Sequence, residues 1–421
     1  MILTELIEEY VSGDWGNEEL SDDTPNAVFC IRAADFVPIL SVDYANIPTR
    51  YISDNSFENK LLKVGDIVIE KSGGSPTQST GRVIIVTEEL LKEKEHIVCS
   101  NFCEGFRVKE GWNPFYVFSY LQFLYNEGVF FNFEGKTSGL KNLQMEQAFS
   151  SIDIPEQKSD ITILASIDEK IALNRKINVE LEALAKVIYD YWFVQFDFPN
   201  KEGMPYKSSG GKMVWNETLK REIPEGWSDT PLSKIAKVEN GATPSTLEDD
   251  NYGGDISWIT PKDLSDKMTK FFSKGERSIT QKGYYSCSTT KVPAGSILMS
   301  SRAPIGLVAI ASDEVCTNQG FKNMVPEDMD DRFYLYYYIR MYMPFIEALG
   351  SGTTFKEVSK DSMLSFPILK VNNDEVYRRW VSTADNIFGK QNKLEKEIDE
   401  LQSLRSYLLP LLMNGQIMIK D

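Results

Sequence analysis

The chain has 421 residues, of which 42% are hydrophobic and 25% charged, an ordinary composition for a globular protein of two or three domains. The sequence has no run of about 18 apolar residues, so it predicts no membrane span, and its first residues lack the basic segment of a signal peptide. Its net charge of −17 disfavours unaided binding of a polyanion. The five scattered cysteines predict free thiols and a cytoplasmic protein.

The same series of motifs occurs twice along the chain. Gly65 precedes the apolar run Ile67–Ile69, and Gly295 likewise precedes Ile297–Met299. In the same way Ser12-Gly13 matches Asn240-Gly241, and Cys99-Ser100-Asn101 matches Cys316-Thr317-Asn318. A repeat of roughly two hundred residues indicates a duplicated domain rather than a solenoid unit. We therefore expect an internal pseudo-twofold arrangement in which both halves bind the same kind of partner.

Each half begins with short strands that flank a polar, glycine-containing loop. The strands are predicted at 66–69 and 82–86 in the first half and at 296–299 and 307–310 in the second. The aromatic stretches that follow, Phe115–Leu121 and Phe333–Ile339, predict helices that cover the sheet. A platform on which bases stack is the alternative interpretation of these aromatic residues. Each half is thus predicted to be an α+β domain.

Each half ends in a long amphipathic helix, at 161–196 and 383–409. Apolar residues recur at alternating spacings of three and four, the pattern of an antiparallel coiled coil between the two copies. Some thirty residues span roughly 45 Å. Asn174 and Gln391 fall in the apolar stripe, where they either fix the register or lie at its solvated edge. Pro410 and Asn414-Gly415 predict the end of the second helix.

These patterns predict five consecutive segments. They are a first domain at 1–158, a central spacer helix at 159–197, a surface linker at 198–222, a second domain at 223–375 and a distal spacer helix at 376–415. The linker is rich in Gly, Ser and Lys. Its Gly210-Gly211-Lys212 is not a phosphate-binding loop, because it lacks the upstream glycine and Met213 replaces the required Ser or Thr.

The sequence predicts no catalytic, metal or cofactor site. Its single histidine, His96, lies in a charged run typical of a surface, and cannot supply a catalytic triad or a facial metal site. Cys99 and Cys103 lack a second cysteine or histidine pair, which favours buried thiols over zinc ligands. Dinucleotide-binding, nucleophile-elbow and P-loop motifs are also missing from the sequence.

With the repeat laid out, the chain resembles the specificity subunits of Type I restriction-modification systems over essentially its whole length. The motifs that carry the resemblance are Ile223–Trp227, Gly241–Ser245, Gly253–Leu264, Ser301–Gly306, Thr317–Phe321 and Ile167–Asn174. The resemblance implies two target-recognition domains, each reading one half of a split DNA site, held apart by two antiparallel helices that also dock two methyltransferase subunits. Restriction and translocase subunits would join through the complex. The first half lacks the Pro-Glu-Gly-Trp segment, which suggests that the two halves read different sequences.

Candidate DNA contacts follow from the chemistry of base edges. Guanine is read by Arg or Lys and adenine by Asn or Gln, from loops that reach the major groove. The predicted base-reading residues are Lys71, Ser72, Arg82 and Asn101 in the first domain and Arg302, Asn318 and Gln319 in the second. The predicted phosphate contacts are Lys136 and Lys141 in the first domain and Thr353 and Lys356 in the second. For each of them, a solvated loop residue is the alternative.

Two other classes of function remain open from the sequence alone. One is a structural adaptor that uses only its helices for assembly, and the other is a fused nuclease or methyltransferase whose site the motifs do not reveal. A mobility-shift assay on random duplex DNA, with and without a methyltransferase partner, distinguishes the adaptor from the DNA reader.

Overall fold

The computed structural model describes residues 1–74, 78–137, 140–157, 161–267, 269–302, 304–351 and 356–417, with the backbone alone at 136, 137, 140, 266 and 267. The chain divides into two compact units. The first comprises Met1–Lys176 with Glu397–Asp421, and the second comprises Ile177–Lys396. Both units combine helices with sheets, so the predicted mixed class with two domains is confirmed. Among the described residues, every helix is too short or too polar to cross a membrane.

The first unit is built on a sheet with the strand order β1-β8-β4-β6, flanked by sheets β3-β2-β7 and β5-β10-β9. Its strands are β1 (Ile7–Ser12), β2 (Asn26–Ile31), β3 (Thr49–Ile52), β4 (Ile67–Glu70), β5 (Ser72–Gly73), β6 (Val83–Ile85), β7 (Ile97–Cys99), β8 (Cys103–Val108), β9 (Glu134–Thr137) and β10 (Leu140–Leu143). Its helices are α1 (Leu3–Leu6), α2 (Phe36–Leu40), α3 (Asp54–Asn59), α4 (Glu88–Glu93), α5 (Pro114–Asn126), α6 (Met145–Ser151) and the start of α7 (Thr162–Tyr189).

Helix α5 covers the central sheet of the first unit, as its aromatic sequence predicts. Asn113 caps the helix by accepting a hydrogen bond from Phe115 N at 2.9 Å, and Pro114 occupies the first turn, where no backbone donor is needed. Val117, Phe118 and Leu121 are buried in the same core as the strand residues Ile67 and Ile69. Their burial supports core packing, rather than base stacking, for these side chains.

The second unit has a sheet with the order β14-β21-β18-β19-β16, a sheet β17-β15-β20 and the pairs β11-β12 and β13-β22. Its strands are β11 (Met213–Asn216), β12 (Arg221–Pro224), β13 (Ser228–Pro231), β14 (Ala236–Asn240), β15 (Tyr252–Ile259), β16 (Phe271–Phe272), β17 (Arg277–Ile279), β18 (Ile297–Ser301), β19 (Ile305–Ala311), β20 (Cys316–Thr317), β21 (Phe321–Pro326) and β22 (Pro367–Lys370). Its helices are α8 (Pro261–Lys267), α9 (Gln281–Ser286), α10 (Arg332–Met341), α11 (Met343–Ala348), α12 (Lys360–Leu364) and most of α13 (Asp374–Met413).

The two units have corresponding strand orders. The order β1-β8-β4-β6 in the first corresponds to β14-β21-β18-β19 in the second, and each unit adds a small sheet that contains a parallel pair, β2 with β7 or β15 with β20. Gly13 and Gly241 explain one repeated motif. A Cβ added at Gly13 would lie 2.1 Å from Ser100 O, and one at Gly241 would lie 2.1 Å from Asn318 O. Only glycine permits this approach of two backbone segments.

Helices α7 and α13 contribute to both units and are antiparallel where they pack within each. In the first unit Asp168 Oδ1 contacts Arg405 Nε at 2.6 Å and Asn174 Nδ2 contacts Glu397 Oε2 at 2.9 Å, so residue numbers rise on α7 as they fall on α13. In the second unit Tyr189 packs on Trp380, with ring centroids 5.7 Å apart. Helix α7 ends in a π-helical turn at Asp190–Val194.

Two expectations about these regions are corrected by the structure. Helix α13 continues through Pro410 to Met413, because the proline lies in the last turn, where one lost backbone bond does not end the helix. Residues 198–222, predicted as a surface linker, instead carry the β11–β12 hairpin and pack on the second unit. The reason is aromatic: the Phe198 ring stacks on Trp227 and Tyr206, with centroids 5.0 and 4.7 Å apart.

Candidate nucleic-acid interface

In the second unit, three loop segments meet beyond the end of β18. They are residues 301–302 and 304–306, where the chain passes from β18 into β19, residues 318–320 between β20 and β21, and residues 356–358. Ser301 N donates to Gly320 O at 2.7 Å, and Val358 N donates to Ser301 O at 3.0 Å. These backbone bonds tie the segments to the rigid sheet, so their side chains are presented from a fixed frame. We call this set of segments the second loop cluster.

Glu357 is the electrostatic centre of the second loop cluster. Its Oε1 lies 2.9 Å from the Nζ of Lys322, a lysine with a side chain only 8% exposed. Its Oε2 lies 4.0 Å from the guanidinium of Arg302, which is 36% exposed. The buried Lys322 therefore neutralises the Glu357 carboxylate, whereas Arg302 is held loosely by it. Arg302 can rotate away from Glu357 to meet a base edge at small cost.

The neighbouring amide side chains of Asn318 and Gln319 differ in their hydrogen bonding and exposure. Asn318 Oδ1 accepts a hydrogen bond from Gly320 N at 2.9 Å, which shapes the turn. Gln319 is exposed and its Oε1 accepts a hydrogen bond from the Thr243 hydroxyl. Lys356 is exposed, and within the described ranges it forms no ion pair. Thr353, predicted as a phosphate contact, lies outside the described residues.

The first unit has a matching arrangement, which we call the first loop cluster: residues 71–74, 78–82, 101–102 and 141–143. Lys71 N donates to Phe102 O at 2.8 Å, and Leu143 N donates to Lys71 O at 2.7 Å. These bonds correspond to the two that hold Ser301 in the second unit. The same framework therefore carries different side chains in the two units.

The polar groups of the first loop cluster are arranged around Glu104. Its Oε2 accepts a bond from Lys71 Nζ at 2.6 Å. Strand pairing places Glu104 opposite Ile69, just as it places Lys322 opposite Met299. An acidic residue in the first unit therefore occupies the position of a lysine in the second. Ser72 is bonded to Asn142. Asn101 is exposed and has no side-chain hydrogen bond to any described residue.

Two further predicted DNA contacts, like Lys71, are held by carboxylates of their own unit. Arg82 makes a two-pronged contact with Glu70, at 2.8 Å from Nε and 3.1 Å from Nη2, and the Glu70 side chain is 1% exposed. Lys141 Nζ lies 3.2 Å from both Glu134 Oε2 and Gln78 O. These contacts stabilise the first loop cluster where it joins the sheet. Lys136 lies in β9, and its side chain is outside the described residues.

Sequence reasoning missed the two acids that organise these clusters, Glu104 and Glu357. Both lie at repeat positions where the residue types differ between the halves, so matching motifs could not reveal them. The position of Glu104 beside Lys71 follows only from strand register, and Glu357 lies outside the strands, where no sequence pattern marks it. Lys322 was missed for the same reason, since a buried lysine is not distinguished by local sequence from an exposed one.

The cysteines are core residues. Cys30, Cys99, Cys103 and Cys316 are buried and unpaired, while Cys287 is half-buried. Burial raises the pKa of the Cys103 thiol to about 12 and that of Cys316 to about 11. Both thiols are therefore protonated at neutral pH. His96 is exposed, with its ring edge-on to Phe57.

Comparison with known proteins identifies relatives of this chain. The specificity subunit of the Type I restriction enzyme MjaIX of Methanocaldococcus jannaschii is 41% identical over 198 residues, 45% of this chain and 46% of the relative. That match spans about half the length of each protein. The HindI specificity subunit of Haemophilus influenzae is 26% identical over 318 residues, 63% of this chain and 69% of the relative.

The fold has a counterpart among solved structures. The crystal structure of the S subunit of a Type-I restriction-modification system from M. genitalium matches with a TM-score of 0.57 and 11% identity, covering 98% of this chain and 95% of that one. At this identity the likeness concerns the fold alone. The family model described as Type I restriction modification DNA specificity domain matches residues 22–183 and 224–399, most of the chain. This protein belongs to that family.

Proposed function

We propose that this chain is the non-catalytic DNA-specificity subunit of a Type I restriction-modification complex and that its two loop clusters each read one half of an interrupted, asymmetric duplex site. The observation that carries the proposal is the shared framework with exchanged side chains. Lys71 and Ser72, which follow β4, occupy the positions that Ser301 and Arg302 occupy at the end of β18. Two similar frames with different donors suit two different half-sites.

The geometry divides the candidate contacts by role. Asn101 and Gln319 are exposed, and the half-buried Arg302 is held only by a 4.0 Å contact to Glu357. These three are the proposed base readers, with Asn318 contributing its amide nitrogen. Lys71 and Ser72 belong to the first loop cluster and are proposed to contact the first half-site. Lys136, Thr353 and Lys356 are proposed to position phosphates. Arg82 and Lys141 act by holding their loop in shape.

We propose that α7 and α13 together form the antiparallel coiled-coil spacer of an internal pseudo-twofold repeat and that their exposed surface docks two methyltransferase subunits. Within the second unit, Ile177, Leu184, Val187 and Tyr191 of α7 are exposed although they are large and apolar. Their separations of seven, three and four residues place them on one face of the helix. An exposed apolar stripe of this kind indicates a protein partner.

The net charge supports a role for those partners in DNA binding. With 45 basic residues against 62 acidic ones, and with Arg82, Lys71 and Lys141 paired internally, this chain neutralises few phosphates. Methyltransferase subunits would supply much of the phosphate contact, and restriction or translocase subunits would join through them. Unpaired cysteines fit a cytoplasmic setting.

The test is to purify the chain with and without a methyltransferase partner and to map methylated positions by sequencing. We expect the complex to methylate one bipartite motif, and the chain alone to bind the corresponding duplex weakly at physiological salt. Methylation without a sequence motif would support the adaptor role and reject the proposal. Tight, specific binding by the chain alone would contradict the part assigned to the partners.

A further inference from the structure

A buried lysine of the second unit reaches both spacer helices. Lys270 directly precedes β16, and its side chain is 6% exposed. Its ammonium group donates to Gln391 Oε1 of α13 at 2.8 Å and pairs with Glu182 of α7. Removing a cation from water is costly unless polar groups surround it. The contact therefore requires Lys270 to lie at this position and to keep both of these partners.

Aromatic rings and a second cation complete the surroundings of this lysine. The Lys270 ammonium lies 4.1 Å from the centre of the Phe388 ring on α13. Glu182 also accepts bonds from Tyr337 Oη at 3.1 Å and Arg340 Nη1 at 3.0 Å, both on α10. Burial alone would raise the pKa of Glu182, but Lys270 and Arg340 outweigh it and hold that pKa below its ordinary value. The carboxylate is therefore ionised at neutral pH.

The backbone beside Lys270 is fixed to the same helix. Phe271 N donates to Glu395 Oε2 of α13 at 3.1 Å. Gln391 in turn donates to the carbonyl oxygen of Asn178 on α7 at 3.2 Å, with its side chain 2% exposed. Gln391 therefore links three elements: the two helices and the edge strand of the domain. Its place in the apolar stripe is explained by this contact.

We propose that Lys270 is a positioning residue that fixes the orientation of the second target-recognition domain on the paired spacer helices, and so sets the length of the unread gap. The inference rests on the proposed function. The helices define a spacing only if the domain is attached to them rigidly. Lys270 contacts both helices from one point, beside the aromatic core in which Phe333 of α10 stacks on Phe388 of α13. An apolar contact at this place would permit rotation, because it has little directional preference. The hydrogen bonds of an ammonium group are directional and therefore resist rotation.

The test uses the complete methyltransferase complex carrying Lys270→Met, which keeps the length of the side chain and removes its charge. A panel of duplexes keeps both half-sites and varies the gap by one base pair at a time. We expect discrimination between the preferred gap and its neighbours to fall about tenfold or more, on the scale expected for loss of a buried charged contact, while discrimination among half-site bases is retained. Unchanged gap discrimination in a folded complex would overturn the proposal.

Two further variants make the experiment decisive. Lys282→Met removes an exposed lysine of the same domain, paired with Glu248 at 3.1 Å, and is expected to leave the gap unchanged. Gln391→Met removes the hydrogen bonds of Gln391 with Lys270 and Asn178 and leaves Lys270 paired with Glu182. If Lys270→Met does not assemble, gap discrimination is measured with the Gln391→Met complex. A reduced discrimination supports the proposal and an unchanged one overturns it. Failure of the proposed function can be distinguished from failure of this inference, because the wild-type complex would then methylate no bipartite motif.

Discussion

Lengthening the paired helices provides the most direct test of the spacer. Four residues would be inserted after Lys176 in α7 and four after Lys396 in α13, at the boundary between the two units. Both helices need the change, because they contact each other in each unit. Asn174 meets Glu397 in the first, and Asn178 meets Gln391 in the second. Insertion into one helix alone would move one of these pairs out of register.

The expected change in the DNA site follows from two helical geometries. Four residues lengthen an α-helix by about 6 Å and turn its far end by about 40° beyond a full turn. Two base pairs of B-DNA advance by about 7 Å and turn by about 70° in the same sense. The difference of about 30° is small enough for flexible side chains to absorb. The preferred gap should therefore grow by two base pairs, with the bases of both half-sites unchanged.

A seven-residue insertion at the same positions is the matched control. It preserves the heptad pattern and adds about 10.5 Å, but it leaves the far end about 20° short of two full turns. Three base pairs cover that distance and turn by about 105°, which is a mismatch of about 125°. This variant should fold and lose methylation.

Genome-wide mapping of methylated sites measures both insertion variants. An active four-residue variant with the original gap would show that the helices are not the ruler. An active seven-residue variant with a gap longer by three would show that rotational phase does not matter.

Three further predictions concern individual side chains. Replacing Arg302 and Gln319 by Ala should relax the second half-site alone, by about 1–3 kcal/mol for each lost bidentate base contact, and methylation mapping that shows changes in both half-sites would contradict the assignment. Arg82→Met leaves the Glu70 carboxylate buried without its cation and should lower the free energy of unfolding in urea by about 3–5 kcal/mol; a loss close to zero would mean that water reaches Glu70. Iodoacetamide should modify Cys287 first in the folded chain, because burial protects the other thiols, and peptide mass spectrometry that finds Cys30 labelled equally fast would refute this.

The elements predictable from the sequence are those with a local cause. The strand runs at Ile67–Ile69 and Ile297–Met299 lie at the centres of their sheets, and the aromatic stretches form the covering helices α5 and α10. Each is specified by the apolar pattern of a few neighbouring residues. The helix end at Asn414-Gly415 was predictable, whereas Pro410 does not end α13, because it lies in the last turn and removes only one backbone hydrogen bond. The segment 198–222 failed because its few aromatic residues outweigh its polar composition.

The loops that carry the candidate residues could be identified from the sequence, but the hydrogen bonds and ion pairs of each side chain on them could not. Whether a loop cation is available to DNA depends on the carboxylate that strand register brings beside it, as Glu70 does for Arg82 and Glu104 for Lys71. In a chain with an excess of acids, such pairing is the common outcome, so counting basic residues overestimates the DNA-binding surface. Under the proposed function, the exposed Asn101 and the half-buried Arg302 would select bases without supplying much affinity. The proposed function therefore assigns specificity to this chain and most of the affinity to its methyltransferase partners, since a reader that binds weakly by itself would act only where such a partner accompanies it.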